Sequence, residues 1–168
     1  MERGFSLIES VIYVTIFTLL AGVMTNALYS VASSYRLMQA SVTLETVAET
    51  ALERMARETR DSASIDIANS VFGSSDGVLA LNTTDEGGAS ATLQFFISNQ
   101  TVHIRENGID LGPLSSDKAR VTKFIFYPIN TPYSQAVRME VTVETGQDAS
   151  YKSGTFYATV VLRGSYAP

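Results

Sequence analysis

The sequence predicts an α+β fold: one long N-terminal α-helix, with a membrane half and an amphipathic half, packed on a C-terminal antiparallel β-sheet head. Three observations lead there. No charged residue occurs between Glu9 and Arg36; from Leu44 onward apolar residues recur at offsets of three and four; and toward the C-terminus apolar and polar residues alternate with a period of two.

The first half of the helix is read from the uncharged stretch. As a helix it spans roughly 39 Å at ~1.5 Å per residue, longer than a hydrocarbon core of about 30 Å. The second half is read from Leu44, Val47, Ala48, Ala51, Leu52, Met55 and Ala56, which fall on one face. Glu45, Glu49, Glu53, Arg57 and Arg60 lie largely on the other, a solvated face in which Glu53 precedes Arg57 by the spacing that favours an ion pair. No proline lies between Phe5 and Ile67, so both halves are expected to form one helix ending near 62–69. Gly22 and Asn26 are its expected weak points.

The head is read as short strands at 93–97, 102–105, 121–127, 137–144 and 156–162. The clearest is the alternation of Val137, Met139, Val141 and Val143 with Arg138, Glu140, Thr142 and Glu144. Asn107-Gly108 is a hairpin turn of the kind that needs positive φ. Segments 73–77 and 82–90, rich in Gly, Ser, Thr, Asn and Asp, read as loops.

Composition narrows the function classes. A chain of 168 residues suits one domain with an appended element. Its net charge is -5 with dispersed cations, which argues against nucleic acid as a partner. The lack of cysteine excludes disulfides, iron–sulfur clusters and thiolate metal sites. His103, the single histidine, leaves little for zinc or triad chemistry.

The residues alone leave three readings of the N-terminal segment open. A secretory signal would use Ser30-Val31-Ala32 as its small-x-small site, but its apolar region is about twice the usual length and Glu2 offsets the positive start. An uncleaved anchor accommodates the length without accounting for Glu9. A carboxylate in a membrane helix costs up to about 2.5–3.5 kcal/mol at the bilayer centre and signals a partner, unless it sits among the headgroups. The third reading is a leader cut on the cytoplasmic side of the apolar run.

The string Arg3-Gly4-Phe5-Ser6-Leu7-Ile8-Glu9 resembles the prepilin processing motif of type IV pilins and type II secretion pseudopilins. The resemblance implies that a membrane-embedded prepilin peptidase cuts between Gly4 and Phe5 and N-methylates Phe5. Glycine suits such a cut, because its bare backbone approaches catalytic groups closely. The new amine and Glu9 are then opposite charges in a largely apolar helix, and side-by-side packing lets the amine of one chain meet Glu9 of its neighbour. Because an unpaired carboxylate there is costly, Glu9 sets the stagger between subunits.

The leader, two-part helix and sheet resemble the pilin-like architecture over essentially the whole chain. The implied divisions are 1–4 leader peptide, 5–32 transmembrane and assembly helix, 33–67 amphipathic helix continuing into the head, and 68–168 β-rich globular head. Many major pilins carry a proline partway along the membrane half, where this sequence has Asn26. The run Leu52-Glu53-Arg54-Met55-Ala56-Arg57-Glu58, with Val121 opening a Val-Thr-x-Phe strand and Val161-Leu162-Arg163 near the end, resembles the J-type minor pseudopilins of type II secretion systems.

The implied function is structural: a minor pilin or pseudopilin of a type IV pilus or type II secretion-like filament, not an enzyme. Its implied partners are the prepilin peptidase, other pilin or pseudopilin subunits met through the N-terminal helix, and the inner-membrane assembly machinery. Its implied place is the bacterial inner membrane, crossed once with the head exported, and then a cell-surface or periplasmic filament. The alternative is a filament-tip binding module, an adhesin or DNA-uptake pilin, which an exposed aromatic or basic surface would favour.

Other chemistry is weaker. Gly73-Ser74-Ser75-Asp76-Gly77 matches G-x-S-x-G, but a nucleophile elbow needs a strand before it and a helix after it. Asp76, Asp85, Glu86, Asp110 and Asp117 are loop acids without EF-hand spacing. No metal or cofactor is expected. Tyr127, Tyr133, Tyr151, Tyr157 and Tyr166 read as core or rim of the sheet.

Overall fold

The computed structural model describes residues 6–84 and 87–165. Helix α1 runs without interruption through Leu7–Asp61, passing Gly22 and Asn26 in regular α conformation. The chain divides between Gln39 and Ala40 into two compact units. In the first, Leu7, Val14, Phe17, Leu28 and their apolar neighbours are all exposed. In the second, α1 buries Ala40, Leu44, Val47, Ala48, Ala51, Leu52, Met55 and Thr59. That is the expected stripe, extended by one turn at its start and its end; Ala56 packs at the margin.

α1 ends at Asp61, at the near edge of the 62–69 stretch where its end was expected and before the 67 division. The Ser62 hydroxyl donates to the Glu58 carbonyl at 2.7 Å, taking up one of the orphan acceptors of the last turn. The Ala63 N–H then donates to the Asn82 carbonyl at 2.8 Å, so the chain is already pairing as a strand. The ion pairs differ too. Arg54 Nε lies 2.8 Å and Arg57 Nε 4.0 Å from Glu58 Oε1, and Glu53 has no ion-pair partner among the described residues.

The head contains two antiparallel sheets. One has the order β1 (Ser64–Ile65), β2 (Leu79–Thr84), β3 (Ser90–Ser98), β4 (Thr101–Glu106), β5 (Ile109–Pro113). The other is the meander β6 (Arg120–Asn130), β7 (Gln135–Thr145), β8 (Lys152–Val161). Every strand read from the sequence is present, and Asn107 and Gly108 join β4 to β5 with φ of 49° and 84°. Three strands leave no readable period in the sequence. β1 has only two residues, too few to show one. β2 has Leu79, Ala80 and Leu81 all buried, so it shows no alternation. β5 is exposed along most of its length and leaves no apolar pattern.

One core cluster unites both sheets and α1. Leu79, Leu81, Leu93, Phe95, Val102 and Ile104 line the first sheet, while Phe124, Phe126, Val137, Met139 and Val141 line the second. A register shift between Val121 and Lys123 places an extra residue in β6, so that Val121 before it and Phe124 and Phe126 after it all point inward. Segment 73–77, expected as a loop, lies along β6. The Phe124 N–H donates to Ser75 O, and the Gly77 N–H to Phe124 O, both at 2.8 Å. A Cβ on Gly77 would sit 2.5 Å from the Phe124 carbonyl oxygen, which accounts for that glycine.

Met55 is fully buried where helix and sheets meet. Met55→Ala is expected to destabilise the full chain by about 2–5 kcal/mol and Glu45→Ala by no more than about 0.5 kcal/mol, measured by urea unfolding in neutral detergent.

Candidate functional site: the N-terminal helix

Gly4 and Phe5 lie outside the described residues. Glu9 lies in the first turn of α1, where its own N–H and that of Ser10 converge on the Ser6 carbonyl at 3.0 and 3.2 Å. Its side chain is exposed, and among the described residues it has no ion-pair partner. At helical spacing the same face continues with Ile12, Ile16 and Leu20, so the acid heads an apolar strip.

The opposite side carries Thr15, Thr18, Gly22 and Thr25. Their hydroxyls are not left to find partners: Thr15, Thr18 and Thr25 donate to the carbonyls of Val11, Val14 and Ala21 at 2.8, 2.7 and 2.8 Å. Ser33 does likewise to Ser30 at 2.9 Å. Internal satisfaction of this kind is what an apolar solvent demands of a helix. The segment is long and apolar enough to cross a membrane. Helix continues through Ser30, Val31 and Ala32, the small residues of the secretory reading. The threonine bonds were not read from the sequence, although the i to i−4 spacing in a predicted helix signals them.

The candidates in the head are placed differently. Gly77 leads into β2, so the G-x-S-x-G match lacks the helix an elbow requires. His103 Nδ1 lies 3.0 Å from Asp110 Oδ2, and Nε2 lies 3.0 Å from the Thr101 hydroxyl. That hydroxyl already donates to the Ser98 carbonyl at 2.8 Å, so its proton is not held for the imidazole. The arrangement ties β4 to β5. Phe96 packs beside the ring, with centroids 5.6 Å apart, and Arg105 lies over Phe96 at 4.3 Å.

Asp85, Glu86 and Tyr166 fall outside the described residues, and among the described ones no three His, Asp or Glu side chains converge as a metal site would need. Tyr127 and Tyr157 flank Arg138 on the outer face of the second sheet, 5.7 and 5.0 Å from its guanidinium carbon. Both are well exposed. Comparison of the chain with protein-family models, with curated proteins and with solved structures finds no match.

Two carboxyls of the head are held below their ordinary value of 3.8. Asp66 is lowered chiefly by the Asn69 side-chain amide, which donates to it at 2.7 Å, and Asp110 chiefly by the Gly112 N–H at 2.8 Å, with His103 adding to it. A depressed folded-state value contributes stability that is complete above pH 3.8 and disappears as the pH falls through the lower folded-state value. The double variant Asp66→Asn, Asp110→Asn is expected to lose less stability on acidification than the parent, read from unfolding midpoints between about pH 6 and pH 2.

Proposed function

We propose that the chain is a minor pilin or pseudopilin, a structural subunit of a type IV pilus or type II secretion-like filament. In this reading a prepilin peptidase cuts between Gly4 and Phe5, and the N-methylated Phe5 amine of one subunit meets Glu9 of another. The observation that carries the reading is a single unbroken helix, Leu7–Asp61, that is apolar and exposed behind Glu9 and then enters the core of a β-sheet head.

The physical logic is a change of solvent. In the bilayer, lipid covers the apolar segment; in a filament, neighbouring helices do, so burial is kept while the partner changes. Glu9, exposed on that segment and without an ion-pair partner among the described residues, then acquires one from the next chain, which selects a single stagger. The head, outside the membrane, distinguishes this subunit from others. The reading as a tip-located binding module is favoured by the Tyr127–Arg138–Tyr157 cluster, an exposed aromatic and cationic surface.

Mass measurement of the protein isolated from cells is expected to find a chain beginning at N-methyl-Phe5. A chain that begins at Met1, or at Ser33 with the apolar segment removed, contradicts the proposal. Gly4→Leu is expected to leave the uncleaved precursor in the membrane. Glu9→Val is expected to be processed normally yet to be depleted from sheared filaments, and unchanged incorporation would remove the registering role from Glu9.

A further inference from the structure

Most sheet edges in the head are closed to further pairing. β1 is two residues long, β5 ends in Gly112 and Pro113 beside a register shift, and the outer edge of β6 is covered at Phe124 and Phe126 by segment 73–77, with Pro128 following. Short strands, prolines, bulges and covering segments are the usual defences of an edge. β8 has none of these. Its ten residues, Lys152–Val161, pair with β7 in unbroken register, contain no proline, and carry one charge, Lys152, at the very start.

The register also says which backbone groups are open. The Leu162 N–H donates to the Gln135 carbonyl directly opposite at 3.0 Å, which marks that pair as a hydrogen-bonded one. Alternation along the ladder then turns the N–H and C=O groups of Ser153, Thr155, Tyr157, Thr159 and Val161 away from β7. Among the described residues nothing pairs with them. Such a row is a template for an added strand.

α1 supplies the wall beside this edge. A Cβ on Gly154 would lie 2.9 Å from Leu44 Cδ2, and Lys152 Nζ donates to the Ser41 hydroxyl, so helix and strand are in contact near the start of β8. Farther along they part into a groove of about 440 Å³, lined by Leu52, Ala56, Phe156 and Ala158 and by the carboxylates of Glu49 and Glu53. Neither acid is in an ion pair among the described residues.

We infer that the β8 edge binds an extended segment of another protein chain, which adds a fourth strand to the second sheet and sets apolar and basic side chains into the groove opposite Glu49 and Glu53. The apolar floor selects one face of the incoming strand, and the two unpaired carboxylates select its charge. This goes beyond the filament reading and stands on the head alone.

The test uses full-length protein in neutral detergent and a capped peptide, Thr-Val-Thr-Lys-Thr-Val-Thr-Lys-Thr, with binding measured by fluorescence anisotropy. The lysine peptide is expected to bind about tenfold or more tightly than the same peptide with Glu for Lys, or with alternate backbone nitrogens methylated. Glu49→Lys with Glu53→Lys is expected to abolish the preference for lysine. Thr159→Pro, which removes an outward N–H without touching the β7 ladder, is expected to weaken binding by a similar factor; Thr155→Lys serves where the proline variant does not fold.

Equal binding of the methylated peptide would overturn strand addition, and an unchanged preference in the double lysine variant would overturn the assigned groove. Failure of the lysine peptide to bind, with self-association that Thr159→Pro abolishes, would make the occupant a second copy and overturn the basic partner. None of these readouts depends on the mature N-terminus.

Discussion

The backbone hydrogen-bond ladder of α1 is the constraint on which the rest depends. A helix satisfies its own polar groups, so the same ladder can run through hydrocarbon and then into a protein core without a break. What changes along Leu7–Asp61 is the side-chain pattern alone. Before Gln39 apolar residues occupy most sides and are exposed; after Ala40 they narrow to a stripe against two sheets. A proline or a pair of glycines between the two parts would uncouple them. The chain has one glycine, Gly22, and no proline there.

That ladder also explains the distribution of polar residues. Thr15, Thr18 and Thr25 bond to carbonyls of the preceding turn and so bring no unpaired hydroxyl into an apolar setting. Glu9 cannot do this, because a carboxylate accepts and the free N–H groups of the first turn are its only local donors. An acid at the head of an apolar face is therefore a demand for a cation, which in the proposed filament a neighbouring chain's terminal amine would meet. In that proposal charge acts as a ruler along a contact surface that is otherwise indifferent to sliding.

The parts of this fold that could be read from the sequence are those facing two environments at once. β7 has core on one side and solvent on the other, and its alternation declares both. The helix stripe is visible for the same reason. β2, buried through Leu79, Ala80 and Leu81, and β5, exposed nearly throughout, each face one environment and so carry no period. The separation into two sheets was not legible, because it depends on which strands pair across the connections, and pairing leaves no period in the sequence. The Asn99 and Gln100 turn, with φ of 50° and 63°, lacks the glycine that marked Asn107-Gly108. Of the site, Gly4, Phe5 and Glu9 carry a resemblance to a processing motif, a linear signal that is visible without any packing. The groove beside β8 was not legible, because it joins residues a hundred positions apart through packing alone.

The head and the helix end up posing the same problem in different chemistry. Along α1 the unmet groups are apolar side chains and one carboxylate; along β8 they are backbone N–H and C=O groups beside two more carboxylates. Edge strands left flat and uncharged invite indiscriminate pairing, and the structure closes or shortens most others. Leaving β8 open is tolerable only where something limits what can pair with it. The wall of α1 does so, because an incoming strand must fit Leu52 and Ala56 on one face and bring positive charge to Glu49 and Glu53. A negatively charged strand is refused by repulsion from the two acids. The same helix that is exposed and apolar near Glu9 thus acts at its other end as the selective side of a strand-binding edge.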